Sequence, residues 1–214
     1  NDKQLLCLEL AKQGKSFVYT GSAGTGKTTG CREMVKTFLD SGYSPDEIAV
    51  VSFTNRATGN IRNALCKDEV IATTLSGQIL TIHKILEYQP EFYQHPTEDR
   101  MTMRFIPART AANPLGIRIL IIEEASMLGL DLWMKLYDAI LPGIVIVYVG
   151  DINQLPPVFG KSIMNYALAK LPVIELTHVY RTALDSGILV NAHRVLKGLP
   201  PVENKDTEIK KFCI

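Results

Sequence analysis

Phe17-Val18-Tyr19-Thr20-Gly21-Ser22-Ala23-Gly24-Thr25-Gly26-Lys27-Thr28-Thr29 decides how this chain is read. A short apolar run leads into a glycine-rich loop of the form G-x-x-x-x-G-K-T, and the residues after it suit a helix. The glycines let the backbone take conformations closed to other residues and bring amide N–H groups close to an anion. The helix start adds a partial positive charge facing the same point. Lys27 is placed to reach the β- and γ-phosphates of a nucleotide, and the Thr28 hydroxyl to join a Mg²⁺ shell. Gly21 through Thr29 are therefore the candidate nucleotide contacts. Two other readings compete: a glycine-rich turn without a ligand, and a dinucleotide loop. The second is disfavoured, because the glycines fall at Gly21, Gly24 and Gly26 and not as G-x-G-x-x-G.

Outward from the loop, apolar β-rich runs alternate with helix-like stretches. The runs are Ser16 to Thr20, Ile48 to Ser52, Ile117 to Glu123, Ile144 to Gly150 and Val173 to Leu176. Most are nearly continuous Val, Ile and Leu, as expected of parallel strands covered on both faces. Helices are expected over Thr28 to Ser41, Ala57 to Lys67, Leu130 to Ile140 and Ser162 to Leu171. The alternation predicts an α/β fold with one doubly wound parallel sheet. Tyr88 to Pro114 breaks the rhythm with four prolines, a polar turn at Thr97-Glu98-Asp99 and an alternating segment from Met101 to Ile106. That stretch reads as an inserted hairpin.

Ile119-Leu120-Ile121-Ile122 ends in Glu123-Glu124. The carboxyl ends of such strands line the ligand crevice, so this pair is expected beside the phosphates. One carboxylate there can hold Mg²⁺ and the other can orient or deprotonate a water; alone, two such acids more often cap the next helix. A second strand ends in Gly150-Asp151-Ile152-Asn153-Gln154-Leu155-Pro156-Pro157-Val158. This is either a stiff loop or a way to hang the Gln154 amide at the same edge, within reach of a γ-phosphate and a water.

At 214 residues, 46% hydrophobic and 21% charged, the chain suits one domain plus a small insertion and not a disordered segment. A net charge of +1 excludes a generally basic coat for nucleic acid but not a local groove. Cys7, Cys31, Cys66 and Cys213 are scattered with no metal-ligand spacing, so free thiols in a reducing compartment are expected ahead of a disulfide or zinc site. No apolar run reaches the roughly 18 residues of a membrane span. Asn1-Asp2-Lys3-Gln4 has no signal-peptide layout, and the lack of a starting Met suits a trimmed piece.

These motifs resemble a known family. Glu124-Ala125-Ser126-Met127, and Gly150-Asp151 with Gln154-Leu155-Pro156-Pro157-Val158, are similar to motifs II and III of superfamily 1 DNA helicases of the RecD/Dda-like 5′→3′ group. Gln4 resembles the adenine-reading glutamine, Ser52-Phe53-Thr54-Asn55-Arg56-Ala57 motif Ia, Thr81-Ile82-His83 the T-I-H motif, and Leu176-Thr177-His178-Val179-Tyr180-Arg181 motif IV. Ser186-Gly187-Ile188, Ala192-His193 and Gly198-Leu199-Pro200 are similar to the segment that follows.

The resemblance implies a RecA-like P-loop NTPase with a central parallel sheet and a small inserted hairpin subdomain. Residues 1–87 and 115–184 would form the motor domain, 88–114 a pin-like insertion carrying Phe92, Tyr93, Arg104 and Phe105, and 185–214 the start of a second RecA-like domain. It implies ATP and Mg²⁺ as cofactors, with Lys27, Glu124, Gln154 and Arg181 catalytic and Thr28 and Glu123 on the metal. Phe53, Thr54, Asn55, Arg56 and His83 would face single-stranded DNA, although Thr54 and Asn55 also suit a turn or cap and His83 a structural histidine. Partners would be single-stranded DNA, single/double-strand junctions and other replication or recombination proteins, with no membrane. The setting would be the cytoplasm of a prokaryotic or phage-infected cell, or a eukaryotic nucleus. Two departures stand out. Position 123 is Glu where the family usually shows Asp, and no counterpart of motifs V and VI follows, so a fragment of a longer helicase is expected ahead of a degenerate relative. A nucleotide kinase, which would want an Arg-rich lid, and an ATP-gated binding module are the rival readings.

Overall fold

The computed structural model describes residues 2–94, 97–158, 160–178 and 187–202, and of Asp2, Gln4 and Ile188 the backbone alone. Six parallel strands form the central sheet: β1 (Phe17–Gly21), β2 (Ile48–Ser52), β3 (Ile79–Thr81), β6 (Ile119–Ile122), β7 (Val145–Gly150) and β8 (Val173–Leu176), in the order β3-β2-β6-β7-β1-β8. Every residue of β1, β2, β6 and β7 is buried. The sheet is therefore covered on both sides, which is why these strands read as unbroken apolar runs.

Alternate strand residues serve two separate cores. Phe17, Tyr19, Val50, Ile121 and Val147 point to one face, with Met34, Val35 and Phe38 of α2 (Lys27–Asp40) and Cys7 and Ala11 of α1 (Asp2–Lys12). The helices α3 (Asn55–Leu65) and α4 (Glu69–Thr74) complete that layer through Ile61, Leu65 and Ile71. Val18, Val51, Ile122, Ile146 and Tyr148 point to the other face. They meet the short α5 (Ile82–Ile85), Trp133 and Leu136 of α6 (Leu130–Asp138), and Met164 of α7 (Ile163–Lys170). Among the described residues the last helix is α8, Gly187–Leu196.

The strand order does the positioning. β1 leads through α2 into β2, which lies across β7 and β6, so chain reversal opens a crevice at the carboxyl ends of β1, β7 and β6. With strands about 4.8 Å apart, the ends of β1 and β6 lie on the order of 10 Å from each other. That span suits a triphosphate.

The alternating segment forms a separate hairpin. β4 (Tyr88–Gln94) pairs antiparallel with β5 (Met101–Pro107), in register from Tyr88↔Pro107 to Gln94↔Met101. One face of it, with Phe92, Met103 and Phe105, is exposed. Its base is latched: Arg109 pairs with Glu87 at 2.7 Å, and the Ala108 N–H donates to the Leu86 carbonyl at 3.1 Å. The sequence had placed none of α1, β3, α4, α5 and α8; where an expected element formed, its ends shift by at most two residues, as expected where helices and strands fray.

Candidate functional site

The loop between β1 and α2 needs its glycines. Gly24 and Gly26 sit at φ 81° and 86°, and Gly26 is the residue at which α2 begins. Thr25, fully buried, stitches the loop: its hydroxyl donates to the Ser22 carbonyl at 2.8 Å. Lys27 reaches back over the loop and donates to the carbonyls of Gly21 at 2.6 Å and Ser22 at 3.0 Å. Burial lowers the pKa of its ammonium, while the carboxylates of Asp151 and Glu123 act in the opposite sense. Thr28 is half-buried and Thr29 exposed.

β6 delivers the acidic pair. Glu123 is only 6% exposed, and burial raises its pKa against the opposing pull of a Cys31 thiol hydrogen bond and of Lys27. Its Oε1 is buried with no hydrogen-bond partner among the described residues. Glu124 has φ 55° and ψ 39°, a left-handed conformation that costs a non-glycine residue about 1 kcal/mol. Strain of this kind collects at working sites. β7 delivers a third acid, the buried Asp151, whose Oδ1 accepts the Asn153 N–H at 2.9 Å. Sequence reasoning gave Asp151 no role. Its signal was the one used for Glu123: the first residue after a wholly apolar strand.

A pocket of about 230 Å³ brings these groups together. Lys27, Thr28, Glu123, Glu124, Asp151 and Gln154 line it, and α3 closes it through Asn60 and Ala64. That α3 faces this pocket was not foreseen from its sequence. The oxygen donors of Thr28, Glu123 and Asp151 fit a hard cation such as Mg²⁺, which takes one or two carboxylates and leaves its other positions to phosphate and water. The unpartnered Glu123 Oε1 is the atom such an ion would satisfy. Gln154 is exposed at the rim, held by its N–H on the Asp151 carbonyl at 3.1 Å, and also borders a second pocket of about 500 Å³ against His193 and Leu196 of α8. The side chain of Gln4, and Arg181 altogether, lie outside the described residues.

The residues read as DNA contacts form a second face. Phe53, 38% exposed, follows β2, and His83 follows β3. Their ring centroids are 6.2 Å apart, and His83 lies 5.0 Å from Tyr88 at the start of the hairpin. Partial burial and the Lys135 ammonium lower the His83 pKa. Asn55 and Arg56 are exposed. The Thr54 hydroxyl oxygen accepts the Ala57 N–H at 3.1 Å and caps α3, so the cap reading accounts for this residue.

Comparison with known proteins gives the family. Residues 4–160 match the family described as AAA domain. Over 202 residues, 94% of its length, the chain is 30% identical to the ATP-dependent RecD2 DNA helicase of Deinococcus radiodurans, of which it covers 24%. It is 28% identical over 191 residues to the ATP-dependent DNA helicase PIF1 of Emericella nidulans, covering 80% of this chain and 23% of that protein. The chain belongs to the AAA-domain family, as a superfamily 1 RecD/Pif1-like motor domain.

The RecD/Pif1-like domain spans about a quarter of the length of those two relatives. Its fold matches a solved structure of Bacteroides Pif1 bound to ssDNA, with a TM-score of 0.58 at 20% identity over 94% of this chain and 46% of that one. Membership of a P-loop family implies nucleotide binding. Cys7, Cys31 and Cys66 of the RecD/Pif1-like domain are free thiols. Among the described residues no helix is long and apolar enough to cross a membrane.

Proposed function

We propose that this domain binds ATP with Mg²⁺ and, within a helicase, couples its hydrolysis to 5′→3′ movement on single-stranded DNA and to duplex unwinding. One observation carries the reading: Lys27, Glu123, Glu124, Asp151 and Gln154, drawn from three strand ends, line a single pocket beside a glycine loop. The loop N–H groups and the α2 N-terminus cradle the phosphates. Lys27 exchanges the carbonyls of Gly21 and Ser22 for β- and γ-phosphate oxygens. Glu124 accepts a proton from the attacking water or orients it, and the Gln154 amide contacts the γ-phosphate and the same water. Mg²⁺, when bound, supplies charge neutralisation at the phosphates; Thr28 and Glu123 would hold it, with Asp151 alongside. Gln4 is proposed to read adenine and Arg181 to stabilise charge on the γ-phosphate.

Phe53, Asn55, Arg56 and His83 are proposed as the single-strand contacts, supported by the exposure of Phe53 and by the solved relative that carries ssDNA. The hairpin, with Phe92 and Phe105 on its exposed face, is proposed to meet the duplex junction. The test is ATP turnover by this chain and by a longer parent, with and without a single-stranded oligonucleotide, beside Lys27→Ala controls. DNA-stimulated release of phosphate by the parent, lost in Lys27→Ala, is expected. Transfer of phosphate to an added nucleoside monophosphate would instead favour a kinase, and DNA binding without turnover an ATP-gated binding module.

A further inference from the structure

The ring row on the second face does not end at the residues that the motifs supply. Tyr88 is followed by Lys135, whose Nζ stands 5.7 Å from the Tyr88 ring centroid. Lys135 belongs to α6, which carries none of the motif residues, and its helix is firmly seated. The neighbouring Trp133 is buried and packs on Tyr148 at 5.5 Å, and Leu136 is fully buried. The Lys135 side chain is exposed, and among the described residues no carboxylate lies within ion-pairing distance of it.

The rings themselves limit what a strand can do here. His83 and Tyr88 are 5.0 Å apart and tilted by 58°, whereas a base needs about 7 Å, two van der Waals separations, to enter between two rings. Tyr88 is thus not a stacking slot. It is a post that both the His83 ring and the Lys135 ammonium rest against. His83 is held below the ordinary imidazole range by burial and by Lys135 itself, so at neutral pH the positive charge of this row sits on Lys135.

Resting on the DNA-track reading above, we infer that Lys135 is a phosphate-binding residue for single-stranded DNA, that Tyr88 positions it, and that His83 contributes an uncharged contact. The base then stacks on Phe53, and the backbone beyond it passes Lys135 on the way to the hairpin.

The test is a salt titration of a labelled oligothymidine about 12 nucleotides long on the 214-residue chain, from roughly 50 to 200 mM salt. Removing one phosphate contact from a single strand flattens the slope of log K against log salt by about 0.7. Lys135→Gln is expected to show that loss with roughly three- to tenfold weaker binding, since an exposed charge is worth about 1 kcal/mol. Tyr88→Leu should reproduce part of the loss and Tyr88→Phe, which keeps the ring, should restore it. His83→Gln should weaken binding with the slope unchanged. A wild-type slope in Lys135→Gln, or a slope lost in His83→Gln instead, would overturn the assignment while the DNA-track reading stands. No oligonucleotide binding by the unaltered chain would remove the DNA-track reading and this assignment with it. All three altered positions lie at the surface or half-buried, so thermal unfolding of each variant serves as the folding control.

Discussion

The Lys27 ammonium donates to the carbonyl of Gly21, 2.6 Å away, so the lysine of the phosphate loop is tied back to the loop's first fixed position. The charge that would meet a phosphate is held inside the loop that would cradle it. Lys27→Ala removes this tie together with the charge. A charge-assisted hydrogen bond is worth about 1.5–3 kcal/mol, so ATP affinity should fall roughly 10- to 150-fold. A fluorescent nucleotide titration measures this, and unchanged affinity would mean that the nucleotide sits elsewhere.

The acidic pair separates by environment. Glu124 is the partly exposed, left-handed member and Glu123 the buried one. Glu124→Gln should keep ATP binding while turnover drops by about 10²-fold or more. Glu123→Asp, which restores the residue usual in this family, should be tolerated. Normal hydrolysis by Glu124→Gln with a dead Glu123→Gln would reverse the two roles.

Glu123 also ties stability to pH. Its folded pKa is raised above the ordinary 4.5, chiefly by burial. The folded state then binds more protons than the unfolded one, so stability falls as pH rises from 4.5 through the raised value. Glu123→Gln should therefore raise the thermal midpoint at pH 7, and the advantage should shrink as pH falls toward 4.5. Melts of both proteins across that window decide it; an advantage that stays constant with pH would show that titration of Glu123 is not its source.

Gly30 lies one turn into α2, where an added Cβ would run into the Tyr19 hydroxyl and come within 2.7 Å of its ring carbon. Tyr19 is fully buried in the sheet and has little room to retreat. Gly30→Ala should cost about 1–3 kcal/mol by overpacking, in spite of the better helix propensity of alanine. For a domain of this size that lowers the midpoint by roughly 3–10 °C. A midpoint equal to or above wild type would show that α2 shifts freely on the sheet.

Much of the fold was legible because its signals are local. β2 and β8 fall at Ile48–Ser52 and Val173–Leu176, the bounds that the apolar runs themselves mark. α1 escaped because its apolar residues do not share one face: Cys7 and Ala11 are buried while Leu5 and Leu6 are exposed. β3 has three residues, too few for a periodicity, and it is a strand because Ile79, Leu80 and Thr81 pair with Val50, Val51 and Ser52.

By itself the sequence determined the phosphate loop, the parallel α/β class and the acids at a strand end, since each depends on residues adjacent along the chain. Only the tertiary structure decided that Asp151 and Asn60 border the same pocket as Lys27, and that Lys135 stands over Tyr88. The reason is the strand order. β1, β6 and β7 are far apart in sequence and become neighbours through crossovers that no local pattern encodes.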